Sequence, residues 1–411
     1  MAAEQDALVR HANLEFDRLA GDLPALGIAL SGGGDSTALM HLARLWGGAR
    51  LQAATVDHGL RAGSAAEAHQ AGLAAGALGI PHETLHWHRE GGGNLMAAAR
   101  EARLRLLSDW ALRHGLSAVL LGHTQDDQAE TLLMRLSRGA GIDGLSGMAG
   151  RRLSHGMLWL RPLLGVTRAD LRDWLAAQRI GWSDDPSNDR ADFHRIRIRK
   201  AMAELGIPAP QLAQTAENLA MAREALGHYA AKAAEGATLH AGVLTLPAAA
   251  FAAAPAEIRR RLFVAGLRWI SGSGYPPRRE AVRHALAELA QGRQVVLDGV
   301  IATPGAEGLG LVREPAASLR AAPASGDPAL WDGRWRITGL QPGQQVRALG
   351  HDPLPGLGWR DSGLGRDQAA TSPGIWRDGV LIGAPVLHPM PGLGVEALRG
   401  LSEFHAMLYV H

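Results

Sequence analysis

No cysteine occurs in the 411 residues. That excludes a disulfide framework, a thiolate metal site and a cysteine nucleophile together. Lysine is almost as scarce: Lys200 and Lys232 are the only two, and every other basic residue except histidine is arginine. Neither lysine follows a glycine, so the phosphate loop that needs Gly-Lys before Ser or Thr is missing. No run approaches the roughly 18 apolar residues that span a bilayer, and the first ten residues carry acidic side chains instead of an apolar stretch. A cytoplasmic enzyme is therefore expected. Basic and acidic totals of 42 and 40 nearly cancel, for a formal net charge of +2, so charge alone does not announce a nucleic-acid partner. The 46% of hydrophobic residues can build a sizeable core, and the chain is long enough for two or three domains.

Along the chain, apolar Leu26 to Leu30 leads into Ser31-Gly32-Gly33-Gly34-Asp35-Ser36, and apolar residues then recur at helical spacing from Thr37 to Trp46. Leu51 to Val56 reads as a second strand, ending at Asp57-His58-Gly59 before an Ala-rich helix from Ser64 to Leu78. Leu85 to His88 is a further candidate strand, and its His86 and His88 fit a half-buried strand better than a metal pair. A helix over Asn94 to His114, a strand over Ser117 to Leu121 and a helix over Asp126 to Arg138 follow. Strands alternating with helices predict an α/β fold with a doubly wound, mostly parallel sheet. Beyond Lys200 the character changes, with Pro208, Pro210 and a long Ala-rich helical stretch over Gln211 to Ala234. The expected organisation is a catalytic domain over 1–205, a mainly helical domain over 206–318, a linker near 315–328 and a small α+β module over 325–411.

Two constellations carry chemistry. Ser31 to Ser36 sits where a strand passes to a helix, where backbone N–H groups and the helix dipole favour an anion, and three glycines remove every obstructing Cβ. The dinucleotide fingerprint is excluded, because Thr37 stands where its third glycine belongs. The second constellation is Gly122-His123-Thr124-Gln125-Asp126-Asp127-Gln128-Ala129-Glu130. On a helix Glu130 lies one turn from both Asp126 and Asp127. These carboxylates either converge on a magnesium ion or complement the helix N-terminus. His58 and His123 are expected to pack near the nucleotide at strand ends. Arg195, Arg197 and Arg199, alternating with Ile196 and Ile198, give a candidate basic face.

Together the two motifs resemble the PP-loop, or N-type ATP pyrophosphatase, superfamily. The match narrows at Val56-Asp57-His58-Gly59-Leu60-Arg61, at Asn94 with Ala99-Arg100-Glu101, at Arg138-Gly139-Ala140-Gly141, at Arg161-Pro162-Leu163-Leu164 and at Asp185-Pro186-Ser187-Asn188-Asp189. In order, these are similar to the tRNA(Ile)-lysidine synthetase family, strongly over about residues 26–200. Looser matches occur at Gly299-Val300, Val312 to Pro315 and Trp376 to Gly379. The chain departs from the family at Ile196, where Asn is usual after Arg195.

The resemblance implies a ligase that uses ATP and Mg2+. ATP activates the wobble cytidine of a tRNA(Ile) with a CAU anticodon, and free L-lysine then displaces AMP to leave lysidine. It implies ATP contacts at Ser31, Gly32, Gly33, Gly34, Asp35, Ser36, Asp57, His58, Gly122 and His123. Asp35 and Asp127 would hold the metal, and Asp35, Asp126, Asp127 and Glu130 would be the catalytic set. Arg195, Arg197 and Arg199 would meet tRNA, as would the two C-terminal modules.

Overall fold

The computed structural model describes residues 2–59, 63–88, 95–183 and 193–409. Leu60, Arg61, Asn94 and the 185–189 motif, which carry part of the family resemblance, lie outside the described residues. The chain divides into two compact units, Met1–Ala222 and Arg223–His411.

The first unit opens with helix α1 (Ala2–Ala20). Strand β1 (Ala25–Ala29), helix α2 (Gly34–Trp46), β2 (Arg50–Asp57), α3 (Ser64–Ala77), β3 (His82–His86), α4 (Leu95–Arg113), β4 (Ala118–Leu120) and α5 (Gln125–Leu136) then alternate. A short helix α6 (Ile142–Leu145), the hairpin β5 (Arg151–Ser154) and β6 (Met157–Leu160), α7 (Arg168–Ala177) and α8 (Phe193–Leu205) follow. The sheet order is β3-β2-β1-β4-β6-β5, parallel throughout except for the edge pairing of β5 with β6.

Side-chain alternation explains why the strands read as continuous apolar runs. Leu26 and Ile28 of β1, with Ala118 and Leu120 of β4, enter one core beside Phe16, Leu39 and Trp174. Ala25, Ala29 and Val119 enter the other, beside Leu107, Trp110 and Trp159. Both faces are covered, as a parallel sheet built from crossover helices requires. Each fully buried aliphatic side chain such as Ile28 contributes about 1.5–3 kcal/mol. Gly27 is the exception in β1: a Cβ there would lie 2.6 Å from the Trp110 ring, so the glycine makes room for the indole.

The strand order reverses between β1 and β4: the chain goes on from β1 to β2 on one side and from β4 to the β5–β6 hairpin on the other. That splits the sheet at the C-terminal ends of β1 and β4, the place where open α/β sheets hold ligands. Both sequence constellations stand at this point, Ser31 to Ser36 after β1 and Gly122 to Glu130 after β4.

Helix α9 (Ala209–Ala233) begins just after the expected boundary at 205, and the two compact units divide within it. The second unit continues with β7 (Thr238–His240), β8 (Val243–Pro247), α10 (Ala248–Ala253), α11 (Ala256–Ser271), α12 (Arg279–Leu289), β9 (Val295–Leu297), β10 (Val300–Pro304) and β11 (Gly308–Arg313). Its helices are accompanied by an antiparallel sheet of order β7-β8-β11-β10-β9. The expected linker near 315–328 is ordered. It contains a short helix α13 (Pro315–Leu319), and Ala324 bridges to Val346. Two three-stranded antiparallel sheets complete the unit around Trp331, Trp335, Ile337 and Ile375.

Gly27→Ala should cost the first unit about 1–3 kcal/mol, because the added methyl must displace a well-packed indole. Urea unfolding followed by tryptophan fluorescence measures it, and an unchanged midpoint would contradict the packing described.

Candidate active site

The glycine loop is fixed by its own serines. Ser36 Oγ donates to the Gly33 carbonyl at 3.0 Å, accepts from the Ser31 N–H at 3.1 Å and lies 2.9 Å from Ser31 Oγ. Gly32 adopts a left-handed φ of 83°, which an L side chain rarely tolerates. Gly33 and Gly34 open α2, leaving the first backbone N–H groups of that helix uncovered at the sheet switch point. Behind the loop, the Ser183 N–H donates to the Gly32 carbonyl at 2.9 Å and Trp182 packs over Gly34. Gly122 permits the close approach from β4: a Cβ there would lie 3.0 Å from the Asp35 carbonyl oxygen.

Arg168, the first residue of α7, joins the two constellations. Its Nε donates to Asp35 at 3.1 Å, Nη2 lies 3.4 Å from Asp127 and Nη1 lies 3.6 Å from Glu130. Its backbone N–H donates to Asp126 at 2.7 Å. Burial opposes the guanidinium charge, but the pull of Asp35, Asp127 and Glu130 overrides it, so its pKa is raised. Glu130 is 1% exposed and also receives Arg199 Nε at 2.6 Å, with Arg195 Nε at 3.8 Å.

The carboxylates thus take three different positions. Asp35 and Asp127 line the cleft, Glu130 lies beneath it under three guanidiniums, and Asp126 turns to the start of α7. Adjacent residues on a helix point about 100° apart, which separates Asp126 from Asp127. Burial raises the Asp35 pKa above the usual carboxylate range. Burial also pushes Asp127 upward, but neighbouring His123, followed by the Thr124 N–H and the guanidiniums of Arg168 and Arg195, pulls the carboxyl low. His123 is driven down to about 3 by burial and by neighbouring Arg161, so it is neutral. Arg161 Nε donates to its Nδ1 at 3.3 Å, leaving Nε2 to carry the proton.

The cleft between these walls has a volume of about 680 Å³. Eight arginines line it, Arg100, Arg103, Arg152, Arg161, Arg168, Arg172, Arg195 and Arg199, against the two aspartates. That imbalance suits a polyanion. Among the expected contacts, Ser31, Gly33, Gly34, Ser36, Gly122 and His123 line the cleft, while Gly32 shapes the loop from behind. Asp57 and His58 are not in its lining. Asp57 accepts the Gly59 N–H at 2.9 Å, and His58 packs edge-on to Trp87. Among the described residues no group of three His, Asp or Glu side chains is arranged to hold a metal by itself.

The 195–199 stretch is the start of α8, not a strand, so its arginines do not share one face. Arg195 and Arg199, four apart, turn inward to Glu130, and Ile196 joins them in the cleft wall, while Arg197 is exposed. The sequence reading missed Arg168, Arg103, Arg152 and Arg172. In a chain whose basic residues are nearly all arginine, no spacing marks these four.

A glycine loop at a helix N-terminus, facing a second acidic turn across a sheet switch point, defines a PP-loop ATP-pyrophosphatase site. The family model described as the PP-loop domain matches residues 9–205. The tRNA(Ile)-lysidine synthase of Ruegeria pomeroyi is 44% identical over 414 residues, spanning 98% of each chain. That of Bradyrhizobium diazoefficiens is 41% identical over 298 residues, 68% of this chain and 81% of its own. The chain belongs to the tRNA(Ile)-lysidine synthase family, ligases that form lysidine in tRNA. Among solved structures, a U34-tRNA thiolase from Methanococcus maripaludis is similar at 15% identity and a TM-score of 0.44, over 52% of this chain and 79% of that one.

Asp35 yields a test of the electrostatics. A carboxyl whose folded pKa lies above its unfolded value favours the fold most below the unfolded pKa, and that contribution is lost as pH rises through the folded pKa. Asp35→Asn keeps an acceptor for Arg168 and removes the buried charge. Its melting temperature should exceed the parent's at pH 7 and converge with it near pH 4, read by calorimetry across that range.

Proposed function

We propose that this chain ligates free L-lysine to the wobble cytidine of a tRNA(Ile) with a CAU anticodon, converting ATP to AMP and pyrophosphate through an adenylated cytidine. The observation that carries the reading is one cleft holding a bare helix N-terminus, a paired Asp35 and Asp127, and a wall of arginines. In the first step the ring carbonyl oxygen of cytidine attacks the α-phosphorus and pyrophosphate leaves. In the second, the lysine amine attacks the activated ring carbon, that oxygen departs with AMP, and the amine gives up a proton.

The backbone N–H groups of Gly33, Gly34 and Asp35 cradle phosphate oxygens, and Arg168, Arg195 and Arg199 balance charge that spreads over them during transfer. Mg2+ commonly takes one or two carboxylates and completes its shell with phosphate oxygens and water, so Asp35 and Asp127 fit it without a third protein ligand. Bound there, the metal would supply neutralisation of triphosphate charge. Arg168 occupies these carboxylates in the protein alone, and an arriving triphosphate offers it alternative oxygens. Asp127, the one member of the Asp126, Asp127 and Glu130 group that faces the cleft, is the counter-ion for the lysine ammonium; its depressed pKa makes it a weak base. Asp126 and Glu130 are read as positioning residues for Arg168, Arg195 and Arg199. Among the three candidate tRNA contacts, Arg197 is exposed on α8, whereas Arg195 and Arg199 are half-buried beside Glu130.

The chain incubated with ATP, radiolabelled lysine and a tRNA(Ile) transcript should place label in the tRNA only when the CAU cytidine is present. Efficient use of arginine or ammonia instead would overturn the acceptor assignment. Asp127→Asn should lower pyrophosphate release by about 100-fold or more, the loss typical of removing one preorganised charge-stabilising group.

A further inference from the structure

The second unit contains a cluster of arginines that its own carboxylates do not balance. Asp332, buried at the start of the turn after β12 (Ala329–Trp331), receives Arg334 Nε at 2.8 Å and Arg313 Nη2 at 3.3 Å, and Arg399 is close enough to feel its charge. Three guanidiniums thus share one carboxylate. Arg334 also donates through Nη2 to the Thr371 carbonyl at 2.9 Å, and Arg399 donates to the carbonyls of Trp269 and Gly333. Arg313 has no such outlet, since its buried Nε finds no acceptor. A buried cationic donor without a partner is costly, and an anion beside the accessible end of the guanidinium offsets the charge left uncompensated.

Arg313 also borders an open cleft of about 380 Å³, lined with it by Asp298, Gly299, Ala317, Arg320 and Ala321. The turn between β9 and β10 holds Asp298 and Gly299 in left-handed conformations, φ 53° and 69°. A Cβ on Gly299 would lie 3.0 Å from Arg313 Nη1, so glycine at that position leaves the guanidinium approachable. Arg320, from the end of α13, is 70% exposed and only loosely paired with Glu314 at 4.0 Å. Asp298 accepts a long bond from Ser271 through Oδ2, and its Oδ1 has no partner among the described residues.

We propose that this cleft binds one ribose-phosphate unit of an RNA backbone, with Arg313 and Arg320 on the phosphate and Asp298 accepting the 2′-hydroxyl. A free anion would be served by the arginines alone and repelled by Asp298; a ribonucleotide backbone brings the donor that the carboxylate needs. The site deepens the tRNA reading above and rests on it.

Filter binding of the full-length chain to the tRNA(Ile) transcript, titrated between 50 and 300 mM salt, tests the site. Arg320→Gln should weaken binding several-fold and flatten the slope of log K against log salt by about 0.7–0.9, one phosphate contact. Asp298→Gly, which the left-handed backbone accepts, removes a negative charge and should still weaken binding about fivefold, the scale of one lost hydrogen bond. Tighter binding by Asp298→Gly, or an unchanged slope for Arg320→Gln, overturns the site, as does inorganic phosphate protecting the parent but not Arg320→Gln while both bind tRNA equally. Unaltered melting temperatures and ATP binding in both variants exclude misfolding. A parent chain that binds no tRNA would instead overturn the function reading itself.

Discussion

One guanidinium, that of Arg168, sets the geometry of the nucleotide site. It spans Asp35 from the helix after β1 and Asp127 and Glu130 from the helix after β4, while its own backbone N–H is held by Asp126. Helices α2, α5 and α7 are thereby registered to one another at the cleft through charge. Such a cluster is poor value as stability, because desolvating the ions offsets most of their attraction and an apolar replacement of equal volume often does as well. Its worth lies in position. The network holds two aspartates at the cleft wall with a cation between them, and Asp35 is destabilised there by burial. A site arranged this way is ready to exchange its internal cation for substrate.

The same network explains the division of labour among the acidic residues. Spacing along a helix could say only that Asp126, Asp127 and Glu130 were within a turn of one another. Thr124, whose N–H and hydroxyl both bond Asp127, fixes which way that side chain faces. Glu130 then falls a turn deeper, at 1% exposure, where its charge is tolerable only under Arg168, Arg195 and Arg199. The three carboxylates look alike in sequence and differ in surroundings: Asp127 faces the cleft, Glu130 is buried under guanidiniums and Asp126 turns to the start of α7.

How much of this was legible follows from the range of each signal. Strands β1, β2 and β4 and the loop Ser31 to Ser36 were readable because the sheet is buried on both faces and the glycine cluster falls at a strand–helix junction; both are local patterns. Asp57 and His58 also end a strand, but β2 lies beyond the switch point, and Asp57 is consumed by its own turn. Arg195 to Arg199 alternate charged and apolar residues as a strand does, yet they lie on a helix whose inward face is chosen by Glu130, a contact 69 residues away in sequence for Arg199. Arg168 was invisible for the same reason: its partners lie 41 and 133 residues distant, and arginine is too common here to stand out.

Charge finally constrains the order in which the cleft can fill. Eight arginines against two aspartates leave the wall short of negative charge, and Arg168 already neutralises those aspartates. A cation arriving first meets repulsion from most of the wall and finds the carboxylates taken. A triphosphate arriving first is drawn in from all sides and supplies new oxygens for Arg168. Each phosphate oxygen that Arg168 gains loosens its hold on Asp35 and Asp127, which frees them for a cation. On the proposed function, nucleotide binding prepares the place where the lysine amine stands, and Arg168, poised between carboxylates and phosphates, couples adenylation to ligation.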